Sequence, residues 1–118
     1  MKTHIHLLLW PRGDSDLPRF MQSLTGQHAR LWHWVTGTTG TGAVYQSRYG
    51  CVPIEDARHY FTALRYIERN PLVAGCVDLV DAWPWSSIWQ GTELRPPFEV
   101  DEGPYARPSN WFSLVELP

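Results

Sequence analysis

The chain has 118 residues, with ten Lys/Arg against twelve Asp/Glu and a formal net charge of −2. That length fits one small domain with a modest core. No run reaches the roughly 18 apolar residues of a membrane span, and Leu7-Leu8-Leu9-Trp10 is too short for a signal segment and lacks a cleavage-like sequence after it. These features argue against membrane and secreted classes and set the expectation of a cytoplasmic protein. Cys51 and Cys76 form no CxxC pair and read as reduced thiols. The charge is uneven. Through Gly75 there are eight basic against five acidic residues, and from Cys76 onward two against seven. The first part is mildly basic and the remainder acidic, so the net charge alone does not exclude nucleic acid. Seven Trp, five Tyr and four Phe suffice for a packed core and for stacking surfaces.

In chain order, Thr3 to Trp10 reads as a strand, nearly continuously apolar after His6. Pro11 to Ser15 is a turn, and Ser15 or Asp16 is a candidate helix N-cap, with Pro18 in the first turn. Leu17, Phe20, Met21, Leu24, Leu31, Trp32 and Val35 recur at three- and four-residue steps and predict an amphipathic helix to about Thr36. Gly26 weakens its middle by about 1 kcal/mol relative to Ala. Gly37 to Gly42 is a Gly/Thr loop. It lacks the Lys-Ser/Thr ending of a phosphate loop and reads as a flexible connection. Ala43 to Ile54 alternates and predicts a second strand, with a bulge near Gly50. Glu55 or Asp56 caps a second helix with an apolar face of Tyr60, Phe61, Leu64 and Ile67, ending at about Arg69 because Pro71 follows. Trp83-Pro84-Trp85-Ser86-Ser87 predicts a short turn or helix that locks the second helix to the sheet. After Gln90 the chain is Pro-rich and acidic and reads as loosely packed.

The chemistry-bearing residues are few. His4 and His6, two apart on an extended segment, point to one face, and two imidazoles can hold a divalent metal. Tyr66 and Asn70 share one helix face. Tyr66 lies beside the apolar stripe, which suits a half-exposed phenol nucleophile attacking a metal-bound phosphate. Two nitrogen ligands make manganese a rival to magnesium. On the second predicted strand lie Gln46, Arg48 and Tyr49, with Arg48 a candidate phosphate contact and Tyr49 a candidate base-stacking ring. Arg12, Arg65 and Arg69 are further candidate phosphate contacts. His28, His33 and His59 fit no ligand spacing.

Four segments together resemble the REP-associated tyrosine transposases of the HUH superfamily. They are Thr3-His4-Ile5-His6-Leu7-Leu8-Leu9-Trp10-Pro11-Arg12, Tyr45-Gln46-Ser47-Arg48-Tyr49, Tyr66-Ile67-Glu68-Arg69-Asn70-Pro71-Leu72-Val73-Ala74-Gly75 and Trp83-Pro84-Trp85-Ser86-Ser87, in that family's order and spacing. The resemblance implies cleavage and rejoining of single-stranded DNA near palindromic repeats through a 5′-phosphotyrosine link. It implies a divalent metal, magnesium or manganese, on His4 and His6, with Tyr66 as nucleophile. Asn70 falls where related enzymes place a third polar ligand; its own position fits a helix C-terminus equally. Arg12, Gln46, Arg48, Tyr49 and Arg69 are the candidate DNA contacts, and single-stranded or hairpin DNA the expected partner.

Family members carry a strand, a helix and a further strand ahead of the HUH strand. The resemblance therefore implies an N-terminally truncated chain. The expected fold is α+β, a partial ferredoxin-like sandwich in which the HUH strand and one further strand pack on two helices. The expected organisation is a catalytic domain over 1–90 and an acidic tail over 91–118. Unpaired sheet edges predict a homodimer. The alternative function is a catalytically inactive remnant that at most binds hairpin DNA.

Overall fold

The structure, a computed structural model, describes residues 4–89 and 100–118. Its elements are α1 (Asp16–Thr36), α2 (Ala57–Val73), a single 3-10 turn (Val80–Ala82) and α3 (Trp111–Glu116). The expected α+β sandwich is not what forms: among the described residues there is no strand and no sheet. Residues 4–10 form irregular chain that pairs with nothing as a strand, and 43–54 form bends and irregular chain. A strand exists only by exchanging hydrogen bonds with a second one, and neither segment finds that partner. The dimerisation argument from sheet edges goes with the sheet.

The chain divides into two compact units, one of Leu9–Pro53 and one of Met1–Leu8 with Ile54–Pro118. The Leu9–Pro53 unit is built on α1. Asp16 does not cap the helix from outside. It is the first helical residue, and its carboxylate accepts the backbone N–H groups of Arg12 and Gly13 at 3.1 and 2.9 Å, which folds the preceding turn onto the helix. Gly37, at φ +66°, ends α1 in the left-handed region. The Gly/Thr loop beyond it is stitched down by His33, whose Nδ1 lies 2.9 Å from Thr38 Oγ1 and whose Nε2 lies 3.1 Å from the Gly42 carbonyl. A carbonyl only accepts, so Nε2 carries the proton and Nδ1 accepts from the threonine. The apolar stripe expected on α1 does form, yet of the whole helix only Met21 is buried. Phe20, Leu31, Trp32 and Val35 are 45–66% exposed.

The other unit holds the main core. Tyr60 and Leu64 of α2 are buried with Val80, Ile88, Trp111 and Val115, and Leu8, Phe61, Leu72, Phe112 and Leu114 pack around them. Asp56 caps α2 through a 2.7 Å bond from the His59 N–H. Pro71 does not stop the helix. It lies inside the last turn, and the ending comes at Gly75 (φ +65°). There the Cys76 N–H reaches the Pro71 carbonyl and the Gly75 N–H reaches the Leu72 carbonyl, the paired bonds of a Schellman ending. Asn70 is therefore a helical residue, its carbonyl accepting from Ala74 N–H.

Residues 100–118 are not a loose tail, while the stretch 90–99 lies outside the described residues. Trp111 and Val115, one turn apart on α3, are 6% and 0% exposed. Arg65 of α2 donates from Nε to the Leu114 carbonyl at 2.7 Å and from its terminal nitrogen to the Leu117 carbonyl. A cation at the C-terminal end of a short helix satisfies carbonyls that have no partner within it. Arg65, a candidate phosphate contact, is thus committed to holding α3 against α2. Trp85 is 72% exposed, so it locks nothing to α2; that work falls to Val80 and Ile88.

Gly103 approaches Tyr60 closely. At φ +77° it favours glycine, and an added Cβ would run into the Tyr60 hydroxyl. Gly103→Ala is expected to cost about 2–3 kcal/mol, backbone strain plus overpacking. Gly75→Ala, at φ +65° with nothing within 4 Å, pays backbone strain alone, about 1 kcal/mol. Urea midpoints of the two variants should fall in that order.

Candidate functional site

His4 and His6 lie on the irregular segment that belongs to the α2 unit. Exposure alternates there. Leu8 packs against the core and His6 is half-buried, while Ile5 and Leu7 are 60% and 44% exposed. Two positions apart in the chain, the imidazoles of His4 and His6 meet. Their ring centroids are 5.1 Å apart at an interplanar angle of 84°. The His6 ring in turn meets the Tyr66 ring edge-to-face, at 5.3 Å and 76°. Tyr66 projects from the middle of α2 and is 56% exposed.

The electrostatics favour a neutral, coordinating His6. Its pKa is held below the ordinary 6.5, first by burial and then by the neighbouring His4 charge. Its Nε2 is buried and has no hydrogen-bond partner, and the same is true of Arg69 Nε. Arg69 lies three residues beyond Tyr66 and so belongs to its side of the helix. Buried polar atoms without partners cost folding free energy and mark where a bound group would make the missing contacts.

As a fit test for a divalent metal, the donor set is two imidazoles, one of them with an orphaned nitrogen beside the other ring. That suits nitrogen coordination. No group of three His, Cys, Asp or Glu that could hold a metal occurs among the described residues, so an ion on this pair would need Asn70, water or a phosphate to complete its ligands. Asn70 is half-buried, one turn beyond Tyr66 on α2. Arg12, Gln46, Arg48 and Tyr49 all belong to the Leu9–Pro53 unit. The geometry gathers His4, His6 and Tyr66, with Asn70 and Arg69 on the same helix.

The residue that reading the sequence missed is Glu68. It is fully buried. Oε1 accepts from Ser87 Oγ at 2.6 Å and Arg107 at 2.8 Å, and Oε2 accepts from the Trp111 indole N–H at 2.6 Å. One signal was available. Tyr60, Leu64 and Glu68 are spaced by four, so an acid interrupts the buried stripe where a third apolar residue belongs. Glu68 ties 87, 107 and 111 to the helix that carries Tyr66. It sets the position of that helix and touches none of the candidate chemistry.

Comparison with protein families, with curated proteins and with solved structures returns no match for this chain. Among the described residues no helix is long and apolar enough to cross a membrane.

Proposed function

We propose that the His4–His6–Tyr66 corner is a phosphodiester transesterification site acting on single-stranded DNA. The observation that carries this reading is the ring contact of His6 with Tyr66, 60 positions apart in the chain, beside the partnerless His6 Nε2. In the step, Tyr66 Oη forms a bond to phosphorus and the P–O3′ bond breaks. The phenol proton ends on the departing 3′ oxygen, and the 5′ phosphate stays on the tyrosine. Reversal by the same or another 3′ hydroxyl rejoins a strand without an energy source. His4 and His6 would hold a magnesium or manganese ion, which supplies Lewis-acid polarisation of a non-bridging phosphate oxygen. His6, kept neutral by its surroundings, offers a lone pair without first losing a proton. Arg69 adds positive charge on the Tyr66 side of α2 for the phosphate. Asn70, one turn beyond Tyr66 on α2, would offer a further oxygen. Hairpin-bearing strands near palindromic repeats are the substrates that the motif resemblance points to.

The test is a denaturation-resistant protein–DNA adduct on hairpin-bearing single strands with manganese. The parent chain is expected to form it, and Tyr66→Phe to form none. An adduct undiminished in Tyr66→Phe removes the tyrosine from the chemistry.

A further inference from the structure

The Leu9–Pro53 unit carries a ring cluster that the Tyr66 site does not use. His28 and Trp32 are one turn apart on α1, with ring centroids 6.3 Å apart. Tyr45, from the irregular chain after the Gly/Thr loop, closes onto His28 at 5.6 Å and hydrogen-bonds through its hydroxyl to His28 Nδ1 at 2.6 Å. These rings are held in place yet face water: Trp32 is 51% and Tyr45 37% exposed. The Leu9–Pro53 unit carries four arginines against two acids, Asp14 and Asp16, which both precede Leu17. From Leu17 to Ile54 the sequence holds Arg19, Arg30 and Arg48 and no Asp or Glu.

Fixed, exposed rings within an acid-free, arginine-bearing stretch match one ligand chemistry, unpaired nucleobases on a polyanionic backbone. A duplex hides its base faces. An acidic peptide offers charge but no run of planar rings. A second copy of this unit would bring its own arginines against these. We infer that His28, Trp32 and Tyr45 form a stacking platform for single-stranded nucleic acid. Tyr45 and His28 brace each other through their hydrogen bond, and Trp32 offers the widest ring. Binding here needs neither Tyr66 nor a metal, so it stands apart from the transesterification reading.

The experiment is fluorescence anisotropy of the full chain in EDTA, with labelled oligothymidylate, oligouridylate, an abasic strand of equal charge and a duplex. Oligothymidylate is expected to bind about tenfold or more tighter than the abasic strand, because each stacked base contributes separately from the phosphates. Trp32→Ala is expected to lose about tenfold, and Trp32→Tyr, which keeps a ring, to recover most of it. Equal binding of oligouridylate assigns the platform to base faces alone, and a preference for either strand assigns a sugar contact; both support it. An abasic strand bound as tightly as oligothymidylate overturns it, as does a preference for duplex, or Trp32→Ala binding like the parent with an unchanged circular dichroism spectrum. Should Trp32→Ala fail to fold, the abasic comparison on the parent chain decides alone. Tyr66→Phe is expected to bind oligothymidylate like the parent, so loss of adduct chemistry and loss of this platform are separately visible.

Discussion

Glu68→Ala is expected to cost about 3 kcal/mol and to shift the urea midpoint of the α2 unit by about one to three molar units, at slopes of about 1–3 kcal/mol/M. The cost is unequal among the three donors that lose their acceptor. Ser87 is exposed and turns to water. The Arg107 side chain is about a quarter exposed, at 26%, and finds water as well. Trp111 is 6% exposed and cannot, so its indole N–H is left unpaired at about 1–3 kcal/mol. The rest comes from the cavity. A small domain has about 5 kcal/mol to lose before it unfolds. Glu68→Gln keeps the volume and one acceptor oxygen, enough for Ser87 and Arg107, but turns an amide N–H₂ toward the Trp111 N–H. It is expected to cost about 2 kcal/mol. In a double-mutant cycle with Trp111→Phe, the coupling to Glu68 should be about 1–2 kcal/mol, since removing donor and acceptor together strands neither. A Glu68→Ala midpoint equal to that of the parent would mean that this buried carboxylate holds nothing in place.

The helices were legible in the sequence because their signals are local. The three- and four-residue recurrence of Leu17 to Val35 and of Tyr60 to Ile67, the Asp56 cap and Gly37 each act within one or two turns. The strands misled because an apolar run or an alternation records only which residues face a surface. In residues 4–10 that condition is met by docking Leu8 and half of His6 on α2, with no ladder. The composition of the C-terminal segment, rich in Pro and acids, concealed three residues that pack on α2 or its partners: Arg107 ahead of α3, and Trp111 and Val115 one turn apart on it. Their target, Glu68, lies 39 and 43 positions away for the first two, a pairing that no local pattern states. Pro71 misled for a related reason. A proline in the last turn of a helix forfeits one bond, and the Schellman bonds at Gly75 and Cys76 offset that loss. Of the residues singled out for chemistry, His4, His6 and Tyr66 come together as rings, a contact across 60 positions that no local pattern states.

Removing the His6 imidazole is expected to separate chemistry from stability. His6→Ala should lower the rate of manganese-dependent adduct formation about a hundredfold or more, equivalent to about 3 kcal/mol of barrier. It should also abolish manganese binding as read by calorimetry. Tyr66→Phe keeps both imidazoles and should bind manganese like the parent while forming no adduct. The effect of His6→Ala on folding has the opposite character. The native structure carries a buried Nε2 with no partner, a cost of about 1–3 kcal/mol that the substitution relieves. It forfeits the edge contacts with His4 and Tyr66, worth about 1 kcal/mol each at most. The two nearly cancel, so the unfolding midpoint of the metal-free chain should move little. A side chain retained for packing would show the reverse, a large midpoint shift with manganese binding intact, and that result would deny the His4–His6 pair any part in holding an ion beside Tyr66.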